Sequence, residues 1–140
     1  MSDQNKAISR RAIEEGFDKG NMAAVEEIFA PNYVNHAAPP GMPGGVEGIK
    51  AFVGMYRTAF PDLKSTINFQ IAEGDKVVTH WTSKGTNKGS LFGMPATGKS
   101  ATITGTTIDR IAGGKIVETW NTFDQVQMMQ QLGVMPTPGH

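Results

Sequence analysis

The sequence contains no cysteine. Disulfides, thiolate nucleophiles and cysteine-ligated zinc or iron–sulfur centres are excluded together. It has three histidines, one of them the last residue, with neither an H-x-x-x-H spacing nor a carboxylate cluster, so no metal site is expected. An excess of one charge is also missing, because thirteen basic and thirteen acidic side chains cancel. That balance implies no broad attraction to nucleic acid or to an anionic membrane. No apolar run reaches the length that spans a bilayer, and the polar stretch Met1 to Arg11 lacks the apolar segment of a secretory leader. A soluble cytoplasmic protein is expected, one domain over residues 1–140. Residues 1–5 and 134–140 are expected to fray.

Glycine, by contrast, is abundant, with 17 copies. Residues Gly93 to Ser100 read G-M-P-A-T-G-K-S, which satisfies the phosphate-loop pattern G-x-x-x-x-G-K-[ST]. That motif needs a helix after it, whose N-terminal N–H groups cradle the phosphates. Here Ala101-Thr102-Ile103-Thr104 follows, a β-branched run that reads as a strand, and Pro95 removes one of the loop's donors. The segment reads as a loop between two strands, and a nucleotide is not expected.

The first half of the chain has helical spacing. Ile8, Ala12, Ile13 and Phe17 share one side of a helix ending near Gly20. Asn21 caps a second, short helix carrying Val25, Ile28 and Phe29, which Pro31 is expected to stop. Asn35 to Gly45 is too rich in Pro and Gly for regular structure. Ile49, Phe52, Val53, Tyr56 and Phe60 mark a third helix ended by Pro61. The second half reads as strands: Ile67, Phe69 and Ile71 alternating with polar residues, then Lys76 to Thr86, Ala101 to Ile111 and Lys115 to Phe123. Asp124 and Gln127 have capping-box spacing at the start of a last helix that stops at Gly133. Helices followed by hairpin-linked strands give an α+β class, with helices on one face of a curved antiparallel sheet. Such a sheet wrapped over a long helix encloses an apolar cavity for a small ligand.

The strings F-A-P-N-Y-V-N-H (29–36), A-F-P-D-L (59–63), H-W-T-S-K-G-T (80–86), G-M-P-A-T-G-K (93–99), R-I-A-G-G-K-I-V-E-T-W (110–120) and F-D-Q-V-Q-M-M-Q-Q-L-G (123–133) resemble the SnoaL-like polyketide cyclases, in order and spacing. The resemblance implies a nuclear transport factor 2-like fold, a cone of curved antiparallel strands closed by N-terminal helices. It also implies homodimers formed through the outer sheet face and an intramolecular aldol ring closure without cofactor. In those cyclases an aspartate on the last strand and a histidine on the preceding strand manage the protons. Position by position, the aspartate falls at Asn121, the histidine at Thr107 and a substrate-holding glutamine at Gly105. Neither Asn121 nor Thr107 titrates usefully, but the Asn121 amide could donate to a ligand carbonyl or enolate.

The remaining candidates follow from these positions. Asp124 is the carboxylate nearest the lost aspartate, a candidate displaced acid/base, but its capping-box spacing favours reading it as the cap of the last helix. Asp109 shares strand parity with Thr107, so it is expected to face the pocket, where burial would raise its pKa and suit it as an acid. His80 and Trp81 point to opposite faces. Trp81 is expected in the cavity wall and His80 on the outer face, though its type suits proton transfer. Asn35 and His36 are expected at the cavity mouth, or hydrogen-bonded to loop backbone. Met42, Met55 and Met94 could supply soft walls. Thr107 and Asn121 share a face only if the turn at Gly113-Gly114 is accompanied by a bulge, expected as a three-residue turn. Three functions remain open: an enzyme acting on a small, largely apolar carbonyl compound, a non-catalytic binder of such a compound, and a dimeric interaction module.

Overall fold

A computed structural model describes residues 2–36, 41, 43–90, 95–123 and 125–133, without the side chains of Ser2, Gln125 and Val126. Helix α1 (Ser2–Arg11) begins within the residues expected to fray and runs on into a π-helical turn, Ala12–Phe17. The wider turn shows in Asp18 N–H donating to Ile13 O at 3.0 Å, and Gly20 closes it at φ 65°. Asn21 caps α2 (Met22–Ile28) as expected, its side chain accepting from Ala24 N–H at 3.2 Å.

The first departure from the sequence reading follows directly. Phe29 does not end a helix; it begins strand β1 (Phe29–Asn35), which runs through Pro31. Proline is tolerated because β1 is an edge strand, and it falls in the irregular stretch between the Phe29–Ile116 and Val34–Glu118 pairings. Helix α3 (Gly45–Ala59) lies where its apolar spacing put it and buries Ile49, Phe52 and Val53.

Strands β2 (Lys64–Glu73), β3 (Lys76–Thr86), β4 (Ser100–Ala112) and β5 (Lys115–Phe123) pair antiparallel with their neighbours in sequence, and α4 (Gln125–Leu132) follows. The strand order is β1-β5-β4-β3-β2, and β1 is parallel to β5. The fold is therefore α+β as expected, but the sheet is mixed and open, because an edge strand from the helical half joins it.

Two bulges set which residues face inward. Gly113 and Gly114, both at positive φ (60° and 77°), form a two-residue turn between Ala112 and Lys115 rather than the three-residue turn expected. The extra residue is Val117, inserted between the Ile111–Ile116 and Arg110–Glu118 pairings. The outcome is the same: Thr107 and Asn121 stand directly opposite each other. A second bulge at Asn68 separates the Ile67–Trp81 and Phe69–His80 pairings. Ile67 thus keeps the parity of Trp81, whereas Phe69 and Ile71 turn outward and are 51% and 59% exposed.

The inner face carries two packed groups. One joins Val25, Ile28, Phe29, Tyr33, Phe52, Val53, Val77 and Ile116 beneath the helices. The other joins Phe60, Ala101, Ile103, Met128, Met129 and Leu132 against α4. No described helix is long and apolar enough to cross a membrane.

Candidate functional site

A cavity of about 110 Å³ opens where the two packed groups meet. Its walls are mainly aromatic and aliphatic: Phe17, Phe52, Phe60, Trp81, Ile103 and Phe123. At 10–15 Å³ per water position, the space suits a ligand of on the order of ten non-hydrogen atoms. Ring contacts fix the walls, with Phe17 edge-on to Phe52 at 5.9 Å, Phe52 to Tyr56 at 5.3 Å, and Trp81 tilted against Phe123 at 6.2 Å.

Three polar side chains from adjacent strands make a directed chain across the cavity. Trp81 Nε1 donates to Thr107 Oγ1 at 2.8 Å, and Thr107 Oγ1 donates to Asn121 Oδ1 at 2.8 Å. An indole N–H can only donate, so the Thr107 oxygen accepts from Trp81; Asn121 Oδ1 can only accept, so it takes the Thr107 hydroxyl proton. With Oδ1 engaged, both Nδ2 protons are left for something else. Among the described residues none accepts them.

Gly105 makes this arrangement possible. A Cβ there would sit 2.5 Å from Trp81 Cζ2, 2.7 Å from Cη2 and 2.8 Å from the Thr122 carbonyl oxygen. The indole therefore occupies the space a side chain at residue 105 would need.

The other expected site residues are placed as follows. Trp81, Thr107 and Asn121 line the cavity together. Asp109 was expected to face the pocket; it has the right parity but lies in the core and does not line the cavity. It accepts from Thr119 Oγ1 at 2.7 Å, and the Ser9 hydroxyl of α1 faces the same carboxyl without well-formed hydrogen-bond geometry. Desolvation pushes its pKa up to about 6 against the lowering effect of these hydroxyls. Parity fixes the side of the sheet; which helix covers each level is decided by tertiary packing.

His80 is on the outer face, stacked on Phe69 at 4.8 Å and held by Asn68 at 3.0 Å. As a candidate catalytic base it does not join the cavity. His36, expected at the cavity mouth, is also on the outer face. Its backbone N–H donates to Thr119 O, its ring stacks on Trp120 at 4.8 Å, and Nε2 lies 2.7 Å from Glu118 Oε2. Strand β1 carries it there beside β5, and Asn35 pairs with Thr119. Arg110, with His36 as the weaker influence, holds the Glu118 carboxyl below the usual range. Asp124, Met42 and Met94 lie outside the described residues. Met55 packs against both core groups, and Met128 lines the cavity.

Sequence reasoning did not mark Tyr56, Ser65 and Ser83 as cavity residues. Ser83 shares the parity of Trp81, two residues away, and that signal was available. Burial pushes the Tyr56 phenol up to about 12, so it remains a neutral hydroxyl near neutral pH. Among the described residues no carboxylate or imidazole lines the cavity, and no group of three or more His, Asp or Glu residues could hold a metal ion.

The described part of the Gly93–Ser100 segment, residues 95–100, is organised by Asn87, which is 2% exposed. Its Oδ1 accepts from Thr97 N–H at 2.9 Å and from Thr97 Oγ1 at 3.1 Å, and its carbonyl accepts from Gly98 N–H at 2.8 Å. Lys99 N–H is taken by Thr97 Oγ1, and β4 begins at Ser100. The backbone donors of residues 97–99 are turned inward to the loop itself, and a strand follows them.

Comparison with known proteins now fits this geometry. The sequence model of the SnoaL-like polyketide cyclases matches residues 7–132. The chain belongs to this family. No curated protein matches it. Among solved structures it is similar to IdmH of Streptomyces antibioticus, provisionally named a polyketide cyclase. The identity is 32% over 94% of this chain and 99% of that one, with a TM-score of 0.78. A provisionally named polyketide cyclase of Acidithiobacillus ferrooxidans is 31% identical over 93% and 94% of the two chains, with a TM-score of 0.81. AclR of Streptomyces galilaeus, provisionally named a hydroxylase, shares the fold at 20% identity, covering 99% and 87%, with a TM-score of 0.83. The SnoaL-like fold thus carries more than one named activity, and the site has to select among them.

Proposed function

We propose that this SnoaL-like chain takes up a small, largely apolar carbonyl compound, whose oxygen accepts from the Asn121 amide. The observation that carries the reading is the Trp81–Thr107–Asn121 chain, which engages Asn121 Oδ1 and leaves both Nδ2 protons beside an apolar cavity. A donor in such surroundings is costly to leave unsatisfied, and a carbonyl or enolate oxygen is a matching acceptor. The described cavity wall offers amide, hydroxyl and apolar groups. The proton transfers of a ring-closing cyclase therefore have no evident side-chain base in that wall. The reading is accordingly a carbonyl-binding site, in which the Asn121 amide holds the carbonyl oxygen and no proton is moved by the described wall.

Calorimetric titration with 2-acetylnaphthalene tests this. The ketone is expected to bind, and Asn121→Leu to weaken binding about tenfold, as loss of one net hydrogen bond would. Equal affinity for both proteins would refute the role of Asn121.

Self-association through the outer sheet face is proposed as well. Phe69 and Ile71 are more than half exposed on that face, which also carries the Phe69–His80 stack and, toward the opposite edge of the sheet, the His36–Trp120 stack. Exposed apolar side chains grouped on one sheet face favour a protein partner. Sedimentation of wild type against a Phe69→Asp/Ile71→Asp variant tests it, with a dimer expected to become a monomer. A wild type that sediments as a monomer refutes it.

A further inference from the structure

The cavity has a second polar end. Ser65 Oγ and Ser83 Oγ lie 2.6 Å apart in its wall, at the far side from Asn121. Two hydroxyls bring two protons, and the bond between them uses one, so the pair keeps one O–H to donate and lone pairs to accept. The start of β2 is fixed in place, because Ser65 N–H donates to Asp18 Oδ2 at 2.9 Å. Phe60, Trp81, Ala101 and Ile103 also line the cavity, so apolar wall accompanies the two polar ends.

The register gives their separation. Asn121 pairs with Thr107, and Thr107 with Thr79, so Ser83 stands four residues further along β3 and two strands away from β5. That is about 13 Å along the strands and about 10 Å across them, or roughly 16 Å between backbone positions. That span, less a hydrogen bond of about 2.9 Å at each end and the reach of the two side chains, leaves room for a ligand whose terminal oxygens are about 8–10 Å apart.

We infer that the cavity selects a compound with two polar ends: a carbonyl that accepts from Asn121 and, across an apolar body, a hydroxyl or second carbonyl that meets the Ser65–Ser83 pair. This rests on the reading of Asn121 as the carbonyl donor and adds the class of molecule that fits. A serine pair that served only to join β2 to β3 would be indifferent to the far end of the ligand.

The test compares 2-acetylnaphthalene with 6-hydroxy-2-acetylnaphthalene by calorimetry on the full chain. The hydroxy ketone is expected to bind about tenfold more tightly to the wild type, the value of one further net hydrogen bond. Ser83→Ala is expected to erase that preference, so that the two ketones bind the variant within about twofold of each other. Ser65→Ala, which keeps the other hydroxyl, is the second variant and is expected to lower the preference if Ser83→Ala does not fold. Equal binding of the two ketones by the wild type, or a preference that survives in the serine variants, overturns the two-ended site alone. Failure of both ketones to bind the wild type overturns the carbonyl site itself.

Discussion

Replacing Gly105 by alanine adds one methyl group at the point where the fold has least room for it. The new Cβ would lie 2.5 Å and 2.7 Å from the Trp81 ring and 2.8 Å from the Thr122 carbonyl oxygen. Ordinary carbon–carbon contact is about 3.5–4.0 Å, so the indole has to withdraw by roughly 1 Å. The Thr122 oxygen is backbone of β5, and moving it disturbs the pairing of Gly105 with Phe123 beside it. Overpacking of this kind costs about 1–3 kcal/mol. Withdrawal of the indole also breaks the 2.8 Å bond to Thr107, worth about 1 kcal/mol net. The expected total is about 2–4 kcal/mol, a fall in Tm of the order of 6–15 °C for a chain of this size. Differential scanning calorimetry measures it, and tryptophan fluorescence follows the indole as its surroundings change. The variant is also expected to bind 2-acetylnaphthalene more weakly, since Thr107 loses the partner that directs its proton to Asn121. A variant with unchanged Tm and unchanged emission would refute the close seating of Trp81 on strand β4.

Other expectations follow from the same geometry. The buried Asp109 carboxyl, pushed up to about 6 from an ordinary 3.8, holds its proton more tightly folded than unfolded. Its favourable contribution is therefore complete below about pH 4 and lost as pH rises through about 6, a change of order 3 kcal/mol. Urea unfolding at pH 4.5 and pH 7.5 should show Asp109→Asn stabilising the protein at the higher pH and nearly neutral at the lower. An equal effect at both values contradicts a raised pKa. Asn87→Ala removes the amide that accepts from Thr97 and donates to Gly89 O at 2.8 Å, and should cost about 2–3 kcal/mol while making residues 87–99 more sensitive to protease. Limited proteolysis with wild-type kinetics would count against Asn87 as the anchor of that loop. Breaking the exposed Arg10–Glu14 pair, in contrast, should leave Tm within about 1–2 °C.

Much of the architecture was legible because each element carries a strong local signal. The α3 spacing Ile49, Phe52, Val53, Tyr56 and the strand runs Lys76–Thr86, Ala101–Ile111 and Lys115–Phe123 survive into the fold, as does the Asn21 cap. Strand β1 was not legible, since Pro31 reads as a helix stop and only the edge position of the strand makes proline acceptable there. The outward turn of Phe69 and Ile71 depends on one bulged residue, Asn68, and a single insertion inverts the parity of all that follows.

The site was legible in part for the same reason. Parity and the family resemblance brought Trp81, Thr107 and Asn121 together, and the Val117 bulge made it possible. Parity could not tell that α1 covers Asp109 while the cavity opens at Thr107. His36 was misplaced because a Pro/Gly-rich segment gives no direction, whereas β1 carries the ring onto Trp120. The fit of Trp81 over Gly105 and the reach of Asn87 to Thr97 join residues far apart in sequence. No local pattern marks such pairs.

The central claim is that the Asn121 amide donates to a bound carbonyl, and the carbonyl stretch of bound 2-acetylnaphthalene reports this most directly. Infrared difference spectra with the carbonyl carbon labelled should place the stretch in wild type below its value in a hydrocarbon solvent, as a hydrogen-bonded ketone requires. Asn121→Leu should return it to the hydrocarbon value. A stretch that is the same in both proteins would contradict the account.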